Sequence, residues 1–73
     1  MAHTTVLSEI SGSVWKIVVK EGEAVSEDDT LAIVESMKME IPVLAPVSGT
    51  VHKILVSEGQ AITDGVPLIS ISH

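Results

Sequence analysis

The chain has 73 residues, 45% of them hydrophobic, yet Trp15 is its only aromatic residue and cysteine is absent. Its core must therefore be aliphatic, with no disulfide or thiolate metal site to brace it. Ten carboxylates face four lysines and no arginine, for a formal net charge of −6, which argues against a nucleic-acid partner because phosphate contacts need clustered positive charge.

A single domain of this size buries only about 60% of its unfolded surface, so a compact fold with short connections is required. Nothing resembles a membrane span, and no membrane partner is expected. The opening Met1-Ala2-His3-Thr4-Thr5 has neither the basic segment nor the apolar run of a secretory signal, so the cytoplasm is the expected compartment.

Taken in chain order, the elements read as short strands. Val14, Ile17 and Val19 alternate once and slip once, whereas a helix would need a longer stripe at i, i+3, i+4 and i+7. A β-bulge produces such a slip and lets a strand bend round a core. Glu21-Gly22-Glu23 signals a turn, glycine being free to take positive φ. It belongs to an acidic cluster with Glu27, Asp28 and Asp29, read as a solvated turn or as a docking surface for a basic partner. Leu31-Ala32-Ile33-Val34 predicts the next strand.

After the residues 37–40, Val51, Ile54 and Val56 repeat the uneven spacing of the first half, and Glu58-Gly59-Gln60 repeats its turn. Leu68-Ile69-Ser70-Ile71 closes the series. Pro42, Pro46 and Pro67 belong at edges, bulges or strand starts, because proline cannot donate to a ladder.

These echoes are an internal repeat. Residues 4–36 align with 41–73 at an offset of 37 without a gap, with 12 identities in 33 pairs. Gly12-Ser13-Val14-Trp15-Lys16-Ile17-Val18-Val19 lies over Gly49-Thr50-Val51-His52-Lys53-Ile54-Leu55-Val56. Regularly spaced short strands predict an all-β sandwich or flattened barrel. Two half-domains, neither able to bury its apolar face alone, would pack about a pseudo-two-fold axis.

Only Met37-Lys38-Met39-Glu40 is left over inside the chain, and it joins the repeats as a tight hairpin entered through Ile33–Ser36 and left through Met39–Ile41. Lys38 stands at its tip. Two-residue hairpin turns need positive φ and normally recruit Asn or Gly, so Met37-Lys38 is a poor local match. A turn held in a sparsely populated conformation points to a site where geometry matters more than stability. Flexible thioethers at such a tip suit contact with something apolar.

The string Glu35-Ser36-Met37-Lys38-Met39-Glu40 resembles the attachment motif of the biotinyl/lipoyl attachment family, in its biotin carboxyl carrier type. The resemblance extends over nearly all of residues 1–73, through Gly49-Thr50-Val51, the Glu-Gly turns, Ala45-Pro46 and the duplicated halves. It implies one biotinyl domain built as a barrel-sandwich hybrid, a flattened barrel of two four-stranded antiparallel sheets. Ser36 stands where the family often has alanine, and Ser8-Glu9 where the second half has Ala45-Pro46. Residues 8–12 leave no room for the thumb of some carrier subunits, so the chain is most similar to free-standing thumbless biotin/lipoyl attachment proteins.

The resemblance implies that Lys38 is covalently biotinylated by a biotin protein ligase, that Met37 and Met39 serve ligase recognition and contact the biotin, and that Glu35 and Glu40 contribute to recognition. Glu35 and Glu40 also read as solubilising strand-edge residues. Lysine amines, with an ordinary pKa of about 10.4, are mostly protonated at pH 7, so the ligase must activate the nucleophile. The implied role is a carrier, not an enzyme. It would move carboxylate between the biotin carboxylase and the carboxyltransferase of a biotin-dependent carboxylase, such as an acyl-CoA carboxylase.

Three other readings stay open. Lipoate on Lys38 would use the same fold, though its hairpins typically lack the methionines. Met37 and Met39, on one side of a strand by period two, could offer thioethers to Cu(I). A non-enzymatic adaptor could use Trp15 and its repeat mate His52, although Trp15 also reads as a partly covered outward side chain. His3, His52 and His73 are scattered in the sequence and read as exposed or terminal. No serine or threonine has the histidine and acid of a hydrolase.

Overall fold

A computed structural model describes residues 2–73. Eight strands run in order: β1 (His3–Leu7), β2 (Gly12–Ile17), β3 (Ala24–Val25), β4 (Thr30–Ser36), β5 (Met39–Leu44), β6 (Gly49–Ile54), β7 (Ala61–Ile62) and β8 (Pro67–Ser72). There is no helix among the described residues, hence none long and apolar enough to cross a membrane. All pairings are antiparallel, in two four-stranded sheets ordered β1-β8-β6-β3 and β5-β4-β2-β7.

Shifting the first sheet by 37 residues turns it into the second: β1 falls on β5, β8 on β4, β6 on β2 and β3 on β7. Each sheet thus draws strands from both halves. The repeats interlace instead of packing as two separate bodies, because β1 and β3 find their partners only in β8 and β6. The core between the sheets is aliphatic, and its most buried side chains come in repeat-related pairs: Val14 with Val51, Leu31 with Leu68, Val34 with Ile71. Burying each is worth roughly 1.5–3 kcal/mol, the main favourable term available to a chain with one aromatic residue.

The slip in the sequence is a bulge in both halves. Register shifts between Val14 and Lys16 against β4, and between Val51 and Lys53 against β8. Beyond each bulge a glutamate from the other half closes the backbone. Glu58 Oε2 accepts the Ile17 N–H at 2.9 Å, and Glu21 Oε2 accepts the Ile54 N–H at 3.0 Å. The turn acids are thus partly structural: Glu23 accepts from the Lys20 N–H and Asp29 from the Ser26 N–H as well.

Pro42 lies in the edge strand β5 and Pro67 opens β8, but Pro46 sits in the connection after Ala45, outside any strand. The departure at Ser8 is accommodated locally. Ser8 is 3% exposed in the slot that Ala45 fills in the other half, and its hydroxyl donates to the Ile10 carbonyl at 2.6 Å, which removes the cost of burying it. Residues 8–11 are a four-residue connection with no protruding element.

Candidate functional site: the β4–β5 hairpin

Beyond a register shift between Thr30 and Ala32, β4 and β5 pair without interruption up to the turn, Val34 with Ile41, Glu35 with Glu40 and Ser36 with Met39. Met37 and Lys38 alone form the connection, with φ of 51° and 64°. Positive φ at both central residues is the requirement of a type I′ turn, whose twist matches that of the flanking strands. Neither residue has a side chain suited to the left-handed region, which costs a non-glycine residue about 1 kcal/mol or more. The surrounding register imposes the conformation: Val34 is 1% exposed and anchored in the core three residues before the turn. Ser36 adds a second anchor, its hydroxyl donating to the Ser11 carbonyl at 2.7 Å and tying the hairpin to the connection before β2. The sequence offered no sign of that bond, since Ser36 stood out only as a departure from the alanine often found there in the family.

Lys38 is exposed at the tip, and no side-chain hydrogen bond among the described residues engages it. Met37 is 93% exposed and Met39 63%. Two thioethers so far out of the core add almost nothing to folding. Met37 stands in the turn and Met39 opens β5, so the two are not related by the period-two alternation of a single strand. Glu35 and Glu40 are exposed and directly opposed across the strands, a like-charge arrangement that disfavours the pair. The Lys38 ammonium is the cation nearest them in sequence.

The arrangement suits covalent attachment of a small acid through an amide. A primary amine stands exposed on a two-residue turn, with apolar thioethers beside it and no side-chain hydrogen-bond partner among the described residues. Among the described residues no cluster of His, Asp and Glu could hold a metal. The histidines are nonetheless less scattered in space than in sequence: His3 and His52 meet edge to face with ring centroids 4.5 Å apart, and His73 Nε2 lies 2.6 Å from Thr4 Oγ1. An open groove of about 700 Å³ between the edge strands β1 and β5 is lined by Val6, Leu7, Ile41 and Leu44, but not by Met37, Lys38 or Met39.

Residues 4–71 match the biotin–lipoyl family model, described as "Biotin-requiring enzyme". The chain belongs to the biotin/lipoyl attachment family. Within the family it is 58% identical over 38 residues to the "Biotinylated protein TB7.3 homolog" of Mycolicibacterium smegmatis, an overlap covering 52% of this chain and 54% of that protein. It is 46% identical over 39 residues to the "Biotin/lipoyl attachment protein" of Bacillus subtilis, covering 53% of each. The chain spans about half the length of the curated relatives it matches. Among solved structures, the Kluyveromyces lactis urea carboxylase superposes with a TM-score of 0.93 at 35% identity, over 99% of this chain and 6% of that one. A single-chain, multi-domain long-chain acyl-CoA carboxylase superposes at 0.88 with 26% identity, over 93% and 7%. The family fold, two four-stranded antiparallel sheets, is the fold described above.

Proposed function

We propose that this chain is a biotin carboxyl carrier whose Lys38 is joined by an amide bond to biotin. The observation that carries this reading is the placement of Lys38: an unpartnered amine at the exposed tip of a two-residue turn, in a chain of the biotin/lipoyl family. The relatives whose names describe a biotinylated protein support biotin over lipoate.

Biotin supplies a ureido nitrogen that can carry a carboxyl group between enzymes. The chain itself contributes position. A tethered group samples its target sites at an effective concentration in the millimolar range without dissociating. The turn holds the attachment point clear of the barrel, and the methionines leave an apolar collar for a ligase or carboxylase surface to cover. We assign a biotin protein ligase as the modifying enzyme, acting in the cytoplasm, with Met37 and Met39 in its contact surface and Glu35 and Glu40 beside it. The likeness to domains of a urea carboxylase and an acyl-CoA carboxylase supports a biotin carboxylase and a carboxyltransferase as the partners served.

Intact mass of the protein taken from its native cell tests the reading, because biotin and lipoate add different masses. Lys38→Ala should abolish streptavidin-detectable labelling by a biotin ligase while the fold remains intact. Exchanging Met37 and Lys38 should also prevent labelling, because it moves the amine one place along a strained turn. A biotinylated Lys38→Ala protein would overturn the assignment.

A further inference from the structure

We propose that the outer face of the hairpin-bearing sheet, at Trp15, Ile33 and Pro42, is a resting platform for the biotin group carried on Lys38. The inference rests on attachment at Lys38. Register places the three residues side by side across β2, β4 and β5: the bulge sets Trp15 and Lys16 opposite Ile33, and Ile33 opposes Pro42. All three lie on the outer face, since Ile33 alternates with the buried Val34 and Trp15 follows the buried Val14. Trp15 is 49% exposed, leaving much of a large apolar side chain in water.

The duplication supplies an internal control. At the same three positions of the other sheet the residues are His52, Ser70 and Thr5, again opposed in register. The barrel therefore does not require an apolar row there. Two copies of one architecture carry a tryptophan, an isoleucine and a proline on the sheet that ends in Lys38, and three polar residues on the sheet that does not.

The distances agree. From Ile33 to Met37 the backbone advances about 13 Å at roughly 3.3 Å per residue. A lysine stem extended by the valeryl chain of biotin puts about eleven bonds between the Cα and the bicyclic ring, and an extended chain of that length also spans roughly 13 Å. A ring folded back along the sheet passes the Glu35–Glu40 pair and arrives at Trp15. The indole offers a flat apolar surface of the kind that stacks on a small ring, while the ureido edge stays in water.

Trp15 is the sole aromatic residue, so intrinsic fluorescence reports this face alone. The full chain, unmodified and enzymatically biotinylated, should be compared after intact mass has verified one adduct. Biotinylation should lower the acrylamide quenching constant of Trp15 at least twofold. Lys38→Gln, which removes the charge without adding a ring, should quench like the unmodified chain. Pro42→Thr, the residue of the other sheet at an exposed edge position, should return part of the lost quenching. An adduct with unchanged quenching would overturn the platform alone, even if Trp15→His slowed labelling and so assigned the face to the ligase. Absence of any adduct at Lys38 would overturn the carrier reading and the platform with it.

Discussion

Met37 is where the fold most directly accepts strain without burial in return. Its φ of 51° and its 93% exposure mean that it contributes conformational strain and almost no burial. Asparagine tolerates the left-handed region and is favoured in such turns, so Met37→Asn should stabilise the fold by about 1 kcal/mol, read as a rise in the urea midpoint at unchanged slope. A fall in the midpoint would mean that the methionine makes contacts its exposure does not suggest. Asp28 offers a parallel. It has φ of 72° where its repeat mate is Gly65 at 90°, so the fold demands a left-handed residue at both positions and aspartate meets that demand at one. The repeat contained this signal, since a glycine aligned with an acid marks a constrained backbone. The hydroxyl of Ser36 on the Ser11 carbonyl had no such marker.

At the scale of elements, the hairpin is held by what flanks it. Gly12 opens β2 where the backbone passes β4 so closely that an added Cβ would lie 2.3 Å from the Glu35 carbonyl oxygen. Gly49 stands in the same relation to the Ser72 carbonyl, also at 2.3 Å. Backbone cannot yield as a flexible side chain can, so Gly12→Ala should cost about 1–3 kcal/mol and displace the strand that carries the hairpin. Denaturant unfolding, with amide shifts of Glu35 and Ser36 followed by NMR, would check both effects, and an unperturbed β4 would refute the second. The bulges were readable as a shared slip in two apolar patterns, because period two leaves a trace when a residue is inserted. The glutamates that close them were not. Glu21 read as part of a solvated acidic turn and Glu58 as part of the turn that repeats it, and only the fold brings each to a backbone N–H 33 or 41 residues away.

At the scale of the whole molecule, the interlaced sheets make the halves interdependent. A peptide of residues 2–36 retains only the β2–β4 pairing, since β1 and β3 pair with β8 and β6 of the second half and the other neighbour of β2, β7, belongs to that half too. It should be largely unstructured by circular dichroism, because a two-stranded pairing is marginal in water. Mixing it with residues 37–73 should recover β signal. A cooperative thermal transition in the isolated half would contradict the interlaced account. The aliphatic core is consistent with this economy: with one exposed tryptophan and no cysteine, stability rests on many small repeat-related contacts, and neither half owns a complete core.

The sequence by itself determined the strand class, the duplication, the bulges and the position of Lys38 in a two-residue turn, because these follow from local chemistry: side-chain period, the conformational freedom of glycine, and self-similarity along one chain. Only the tertiary structure decided that the repeats interlace, that turn acids cap distant bulges, and that Trp15, Ile33 and Pro42 form one row beside the hairpin. Those features depend on which strand lies beside which, and pairing across 30 or more residues is chosen by burial of the whole core, which no local pattern encodes.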